Sequence, residues 1–330
     1  MVKKNAVKQL PQDKLYSQFF AESPLVQECI EEGQLFQTYW QGAYSKNSCS
    51  FIDMKNVSEC QVCANLKEIF GIKNELFEGK YCMAISGDGQ EYRRISTLHS
   101  SSLVALLCFY SLSKDSPLTM EIDGGKVEFY KSLFEQKNPI DKEGQHNSNM
   151  DVVLIGKNEA DESVILFLES KFSEYLTHGK YGKISSVYDD IYNALIADKQ
   201  PIDGLEIKHG EDGWSISAAP GHPQQYCQGI KQMISHYLGI QNGFIEGKGK
   251  EYDHIYLGEI LFKFPEGVDK KHKSYDSYVG LYKQLARKLN SINSEPKFKM
   301  LESSLTYQDL LRNFGLDDKV RKFYYYKEVH

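Results

Sequence analysis

Two apolar runs joined by a polar turn constrain this chain more than anything else in it. The first is Asp151-Val152-Val153-Leu154-Ile155 and the second Val164-Ile165-Leu166-Phe167-Leu168, with a polar stretch from Lys157 to Glu162 between them. Each run is apolar on both alternating faces; in the second, Ile165 and Phe167 share one side and Leu166 and Leu168 the other. That pattern predicts a hairpin inside a sheet covered on both sides. The second run ends in Glu169-Ser170-Lys171. Residues two apart in a strand point the same way, so Glu169 and Lys171 share a face, and the hairpin brings Asp151 beside them. Two carboxylates and an ammonium at the end of an apolar hairpin are expensive to desolvate. Their placement therefore points to the binding of a divalent metal by Asp151 and Glu169, with Lys171 next to it. The competing reading is a surface hairpin with an ordinary Glu/Lys pair, which contributes little.

The rest of the chain sets limits. Its 330 residues allow one large domain or a core with additions. With 41% hydrophobic and 25% charged residues it has the composition of a soluble globular protein. The longest apolar run, residues 103–112, falls short of the roughly 18 needed to span a bilayer and reads as a buried helix, so no membrane partner is expected. No apolar segment like that of a signal peptide follows Met1-Val2-Lys3-Lys4-Asn5, which predicts a cytoplasmic protein. Seven scattered cysteines, an odd number, argue against a disulfide framework. Cys60 and Cys63, with Cys49 and Cys82, have the residue types of a zinc site, but their irregular spacing favours buried free thiols. A net charge of -6 opposes a polyanionic partner. Overall charge is not the field at a cleft, however, and Lys270-Lys271-His272-Lys273, Arg287-Lys288, Lys297-Phe298-Lys299 and residues 319–322 are locally basic.

Along the chain, residues 12–33 read as a helix with Leu15, Phe19, Leu25 and Ile30 inward. Ser100-Ser101-Ser102 supplies a cap for a helix over 103–113, because a serine oxygen accepts from free backbone N–H groups at a helix start. Residues 126–134 read as a first strand, 138–149 as a loop or flap, and 184–197 as a helix with Val187, Ile191 and Leu195 four apart. A loop with a short strand near Trp214 follows. Residues 224–238 form the clearest helix, with Tyr226, Ile230, Met233, Ile234 and Tyr237 in one stripe and Gly239 as its stop. A strand over 254–264 and helices over 275–289 and 305–314 complete the reading.

Asp151, then Glu169-Ser170-Lys171 on the next strand, resembles the PD-(D/E)XK nuclease superfamily, with Met150 where that motif's proline stands. The wider stretches 149–154 and 167–175, and His99-Ser100-Ser101-Ser102 before an apolar helix, are similar to a bacterial group of restriction-endonuclease-like proteins, over residues 95–260. The resemblance implies an α/β fold: a restriction-endonuclease-like αβββαβ core with a central mixed sheet flanked by helices, plus N- and C-terminal helical additions. The expected division is 1–94 as an N-terminal addition, 95–265 as the core and 266–330 as a C-terminal extension.

It further implies Mg2+ or Mn2+ on Asp151 and Glu169, with Lys171 orienting or deprotonating a water or stabilising the leaving charge. An upstream acid joins such sites; Glu128 and Glu135 are in reach, and Glu128 is preferred because it sits in the strand-like run. A glutamine on the following helix makes Gln228 and Gln232 candidates, although both lie nearly opposite the Ile230–Ile234 stripe. Lys231, nearer the stripe's edge, is a candidate phosphate contact. His99 and Ser173 are candidate substrate contacts, and Glu174 lies beyond them. The leading expectation is a metal-dependent endonuclease acting on DNA, with a possible homodimer for double-strand cleavage. The alternatives are a non-catalytic nucleic-acid-binding or protein-interaction module that keeps the fold, and, last, a glycosidase using two acids.

Overall fold

A computed structural model describes residues 8–9, 19–40, 43–55, 57–86, 91–141, 146–173, 184–197, 201–210, 213–222, 225–264, 273–313 and 318–324. The chain forms two compact units, both discontinuous in sequence. One comprises Met1–Ser111, Phe262–His272 and Tyr307–His330; the other comprises Leu112–Leu261 and Lys273–Thr306. The linear division at 94/95 and 265/266 follows the nuclease core order rather than compactness.

The first unit contains helices α1 (Pro24–Glu31), α2 (Glu59–Phe70), α3 (Leu76–Ala84), α4 (Glu91–Arg94) and α5 (Ser101–Phe109), with an antiparallel pair, β1 (Phe36–Trp40) and β2 (Ala43–Ser50). Two later helices, Tyr307–Asn313 and Asp318–Phe323, belong to it. Its helix starts follow the capping rules: Ser58 and Gln61 form a reciprocal capping box on α2, and Ser100 Oγ accepts from Leu103 N on α5 as the serine run predicts. Phe20, Phe51, Phe70 and Phe323 pack ring against ring at its centre. The helix expected over 12–33 is interrupted: residues 19–21 are helical, the chain breaks at Glu22–Ser23, and Ser23 caps α1, which Pro24 opens; residues 10–18 lie outside the described residues. Cys29, Cys49, Cys60, Cys63, Cys82 and Cys108 are free thiols, and among the described residues no three His, Cys, Asp or Glu side chains are grouped to hold a metal ion.

The second unit is built on one mixed sheet. Its strands are β3 (Leu118–Ile122), β4 (Gly125–Pro139), β5 (Asn147–Asn158), β6 (Ser163–Lys171), β9 (His254–Leu261), β10 (Phe298–Met300) and β11 (Leu305–Thr306). The order is β10-β9-β6-β5-β4-β3, with β11 also on β9. Pairs from β3 to β6 are antiparallel, and those with β9 are parallel. Helices α6 (Asp189–Ala197), α7 (Gln225–Gly239) and α8 (Lys273–Ile292) and a hairpin, β7 (Leu205–Gly210) with β8 (Gly213–Ala218), complete it. The chain order α5, β4, β5, β6, α7, β9 is the αβββαβ order of a restriction-endonuclease-like core.

The hairpin forms as its sequence predicts. Val152 faces Leu168 and Ile155 faces Ile165, and both sheet faces are buried. Val153, Ile165, Phe167, Ile255 and Leu257 pack with Ile230, Met233, Ile234 and Tyr237 of α7 and with Tyr278, Tyr282 and Leu285 of α8. Each such apolar side chain stabilises the fold by about 1.5–3 kcal/mol. Several elements differ from expectation: the loop expected over 138–149 is shorter, since β4 ends at Pro139 and β5 starts at Asn147, the strand expected over 254–264 ends at Leu261, and the helix expected over 305–314 starts at Tyr307 after β11. The sheet gains β3, whose exposed and buried residues do not alternate cleanly, and β4 continues five residues beyond Phe134, to Pro139. Gly239 ends α7 as expected, but not through a left-handed turn: its φ is -60° and the chain runs on into a π-helical turn, Ile240–Phe244. Glycine is needed there for space, since a Cβ would lie 2.8 Å from Ser148 Cβ and 3.1 Å from Asn138 O.

A β-bulge between Phe129 and Lys131 leaves Tyr130 as the extra residue of β4. Gly156 lies opposite Phe129, and a Cβ on it would sit 2.2 Å from Glu128 O and 2.9 Å from Phe129 Cα. Because those are backbone atoms, Gly156→Ala is expected to lower stability by about 1–3 kcal/mol. Gly280→Ala, in α8 with nothing within 4 Å, is expected to raise it by about 0.5–1 kcal/mol. Urea unfolding of the two variants beside wild type checks both signs.

Candidate active site

Strand register assembles the site. Val152 pairs with Leu168, so one step further Asp151 faces Glu169. On the other side of β6, Glu169 pairs with Glu259 and Lys171 with Leu261. On the far side of β5, Phe134 pairs with Val152 and Gln136 with Met150, which puts Glu135 opposite Asp151. Glu135, Asp151, Glu169 and Glu259 thus stand abreast on four neighbouring strands. Glu135 has φ +48°, a conformation rare for a residue with a side chain.

Helix α7 runs past the middle of this row and grips it. Lys171 Nζ donates to Glu169 Oε1 at 2.9 Å and to Gln232 Oε1 at 2.8 Å. His236, one turn after Gln232, places Nε2 2.7 Å from Glu169 Oε2 and Nδ1 2.6 Å from Ser148 Oγ. Glu169, Lys171 and His236 are buried, at 4%, 3% and 5% exposure. Glu259 is wholly buried; Tyr278 Oη donates to its Oε2 at 2.7 Å and Ser304 Oγ to its Oε1 at 2.6 Å. Gly229 makes room for that phenol, because a Cβ there would be 2.6 Å from the Tyr278 oxygen. Asp151 Oδ2 accepts from Ser170 N at 2.7 Å. Of the Asp151–Glu169–Lys171 group, Asp151 alone is half-buried rather than buried, so the group is nearest solvent on its side.

The charges are unequal partners. Burial tends to raise Glu169, but Lys171 and His236 outweigh it and hold its carboxyl below the usual range. For Asp151 the balance goes the other way: desolvation, with the charges of Glu169 and Glu135 added, pushes it well above the usual range despite the Ser170 amide and the charge of Lys171. Burial pushes Glu259 up to about 7, against its two hydroxyl donors. The row therefore holds more acids than basic partners, and Asp151 and Glu259 keep their protons more tightly than free carboxyls do.

A hard divalent cation fits the Asp151 side. Mg2+ binds through one or two carboxylates and keeps several waters, and Asp151 and Glu169 supply two facing carboxylates whose mutual repulsion a cation would relieve. No third acid, histidine or cysteine joins them as a ligand cluster among the described residues, so such an ion would complete its shell with water and backbone oxygen.

Several sequence-based candidates fall elsewhere. Glu128 is exposed and pairs with Lys157, six residues along β5 from Asp151; Glu135 takes the place preferred for it. The bulge at Tyr130 and the extension of β4 past Phe134 produce that shift. Gln232 does reach the site, because α7 is covered on more than its apolar stripe: Gln232 and His236 line the flank beside Met233. Lys231 lies half-buried on the other flank. The Gln228 side chain and Glu174 lie outside the described residues. Ser173 is buried rather than open at a mouth. His99 is half-buried just before α5, in the first unit. Sequence reasoning misses His236, Ser148 and Glu259. Two signals for them exist: a Gln and a His four apart beside an apolar stripe, and a lone acid inside the apolar run Leu257–Phe262.

Linkage turns these shifts into stability. A carboxyl raised in the folded state binds its proton more tightly there, so its contribution is present below the unfolded pKa and is lost as pH rises through the folded one. For Glu259 the shift from 4.5 to about 7 corresponds to about 3 kcal/mol. The stability of Glu259→Gln relative to wild type should rise by about that amount from roughly pH 4.5 to pH 7, measured by urea unfolding at each pH. Asp151→Asn should raise the melting temperature of the metal-free protein at neutral pH, at about 2–4 °C per kcal/mol gained. Lys171→Ala should instead destabilise by about 3–5 kcal/mol, since it strands a buried carboxylate.

A family model described as REase-ARP, Restriction Endonuclease associating with ARP, matches residues 80–259. No curated protein and no solved structure matches the chain. The matched segment exceeds half of the 330 residues and includes the whole Asp151–Glu169–Lys171 group together with Gln232 and His236. The chain belongs to the REase-ARP family of restriction endonucleases, within the PD-(D/E)XK superfamily.

Proposed function

We propose that the protein is a Mg2+- or Mn2+-dependent endonuclease that hydrolyses DNA phosphodiester bonds. The observation that carries this reading is the register that sets Asp151 against Glu169 with Lys171 fixed beside them, Asp151 being the member nearest solvent. When bound, the divalent cation supplies Lewis acidity, lowering the pKa of a water and drawing charge from the phosphate. Asp151, on the side nearest solvent, and Glu169 hold that charge in place. Lys171 lies against an ionised carboxylate and the Gln232 amide oxygen, so it is set as a cation; this suits stabilising developing negative charge better than abstracting a proton. Gln232 keeps the ammonium from swinging away. One such group serves one strand, so double-strand cleavage would take two copies of the chain. The family's name couples its endonuclease to ARP, and we carry that association to this chain as part of the proposal.

Calorimetric titration of Mn2+ into wild type and Asp151→Asn, with plasmid nicking on the same samples, tests the reading. Wild type should bind and nick, and Asp151→Asn should do neither while staying folded. Lys171→Gln should bind Mn2+ but nick about 100- to 1000-fold more slowly, the scale for losing one charge-stabilising donor. A wild type that binds no Mn2+ would move the protein to the non-catalytic module, a reading that the net charge of -6 favours.

A further inference from the structure

We propose that Ser148 and His236 form a positioning pair that fixes which way Glu169 faces. This inference rests on the nuclease reading for what Glu169 does. The pair is built from two elements brought unusually close. Ser148 lies on β5 three residues before Asp151, and His236 lies on α7, whose Gly239 leaves no Cβ to hold the helix off Ser148. Nδ1 lies 2.6 Å from Ser148 Oγ and Nε2 2.7 Å from Glu169 Oε2; a carboxylate only accepts, so Nε2 carries the proton and donates to Glu169, and in the neutral ring the Ser148 hydroxyl is the donor to Nδ1. The opposite oxygen, Oε1, receives Lys171.

With Oε1 held by Lys171 of its own strand and Oε2 by His236 of α7, the carboxylate cannot turn to pair with Lys171 through two oxygens. The lone pairs that these two bonds do not use remain for a cation. All three side chains are buried, so water does not compete for these bonds. Partners of this kind, one bond removed from a metal, typically change affinity by about 10- to 100-fold when lost.

Three variants separate a donor from a space filler. Gln and Met have similar length, and only Gln can donate to Glu169. His236→Gln should therefore bind Mn2+ close to wild type, while His236→Met and His236→Ala should bind about 10- to 100-fold more weakly, each with its fold confirmed by near-UV circular dichroism. Ser148→Ala should weaken binding in the same direction, and Ser148→Thr, which keeps the hydroxyl, should restore it. A second readout needs no metal: nitrogen-15 NMR of the histidine rings, with His236→Gln identifying the resonance, should find the proton on Nε2.

The inference is overturned if His236→Met binds Mn2+ as well as His236→Gln, if His236→Ala binds as wild type does, or if Nε2 of His236 carries no proton. A wild type that binds no Mn2+ overturns the nuclease reading and this role together. A wild type that binds, with Gln and Ala variants equally weakened, overturns this role alone.

Discussion

The repulsion among side chains that stand abreast on β4, β5, β6 and β9 is the constraint around which the second unit is arranged. Carboxylates in register on adjacent strands have no room to avoid one another, and burial strengthens the effect. Each of the two buried acids, Glu169 and Glu259, is met by its own device. Glu169 receives a lysine from its own strand and a histidine from α7. Glu259 receives two hydroxyls, one from α8 and one just before β11, and still has its carboxyl pushed up to about 7. Asp151 receives one backbone amide and remains the least satisfied. A fold selected for stability alone would place apolar residues in this row, as it does one and two pairs earlier along β6 and β9, where Leu168 meets Gly258 and Phe167 meets Leu257.

Helix α7 explains how the unit tolerates that arrangement. Its stripe of Ile230, Met233, Ile234 and Tyr237 enters the apolar core, and its next flank presents Gln232 and His236 to the acids. Two glycines let it approach: Gly229 beside the Tyr278 oxygen and Gly239 beside Ser148. The same helix therefore supplies apolar burial and the polar partners of the motif. A substitution that shifts it, such as adding a Cβ at residue 239, would disturb both at once.

What the sequence makes legible follows from how local each feature is. The β5–β6 hairpin, the facing of Asp151 and Glu169, α7 and the serine cap of α5 are all encoded by period and spacing within short windows, and all are present. The preference for Glu128 over Glu135 fails for a non-local reason: a bulge at Tyr130 and a strand longer than its apolar run change which residue faces Asp151. Helical angle discounts Gln232 only if a helix buries one face, whereas tertiary packing here covers a second. Glu259 pairs with Glu169 across a parallel connection of about ninety residues, a register that no local pattern states.

Ser148, His236 and Glu169 also pose a chemical question, since an acid, a histidine and a serine in hydrogen-bonded series are the components of a nucleophilic triad. In such triads the acid holds Nδ1 and the serine meets Nε2, with the serine oxygen exposed to substrate. Here the order on the ring is reversed, with Ser148 on Nδ1 and Glu169 on Nε2. Ser148 is also buried at 3% exposure, closed in beneath Gly239 of α7. The end of the series nearer solvent is the Asp151 side, across Glu169 from the histidine. Chemistry is set by which end of a hydrogen-bonded series is open, and in this protein the more open end is the Asp151 carboxyl, while the serine is sealed inside as the series' anchor.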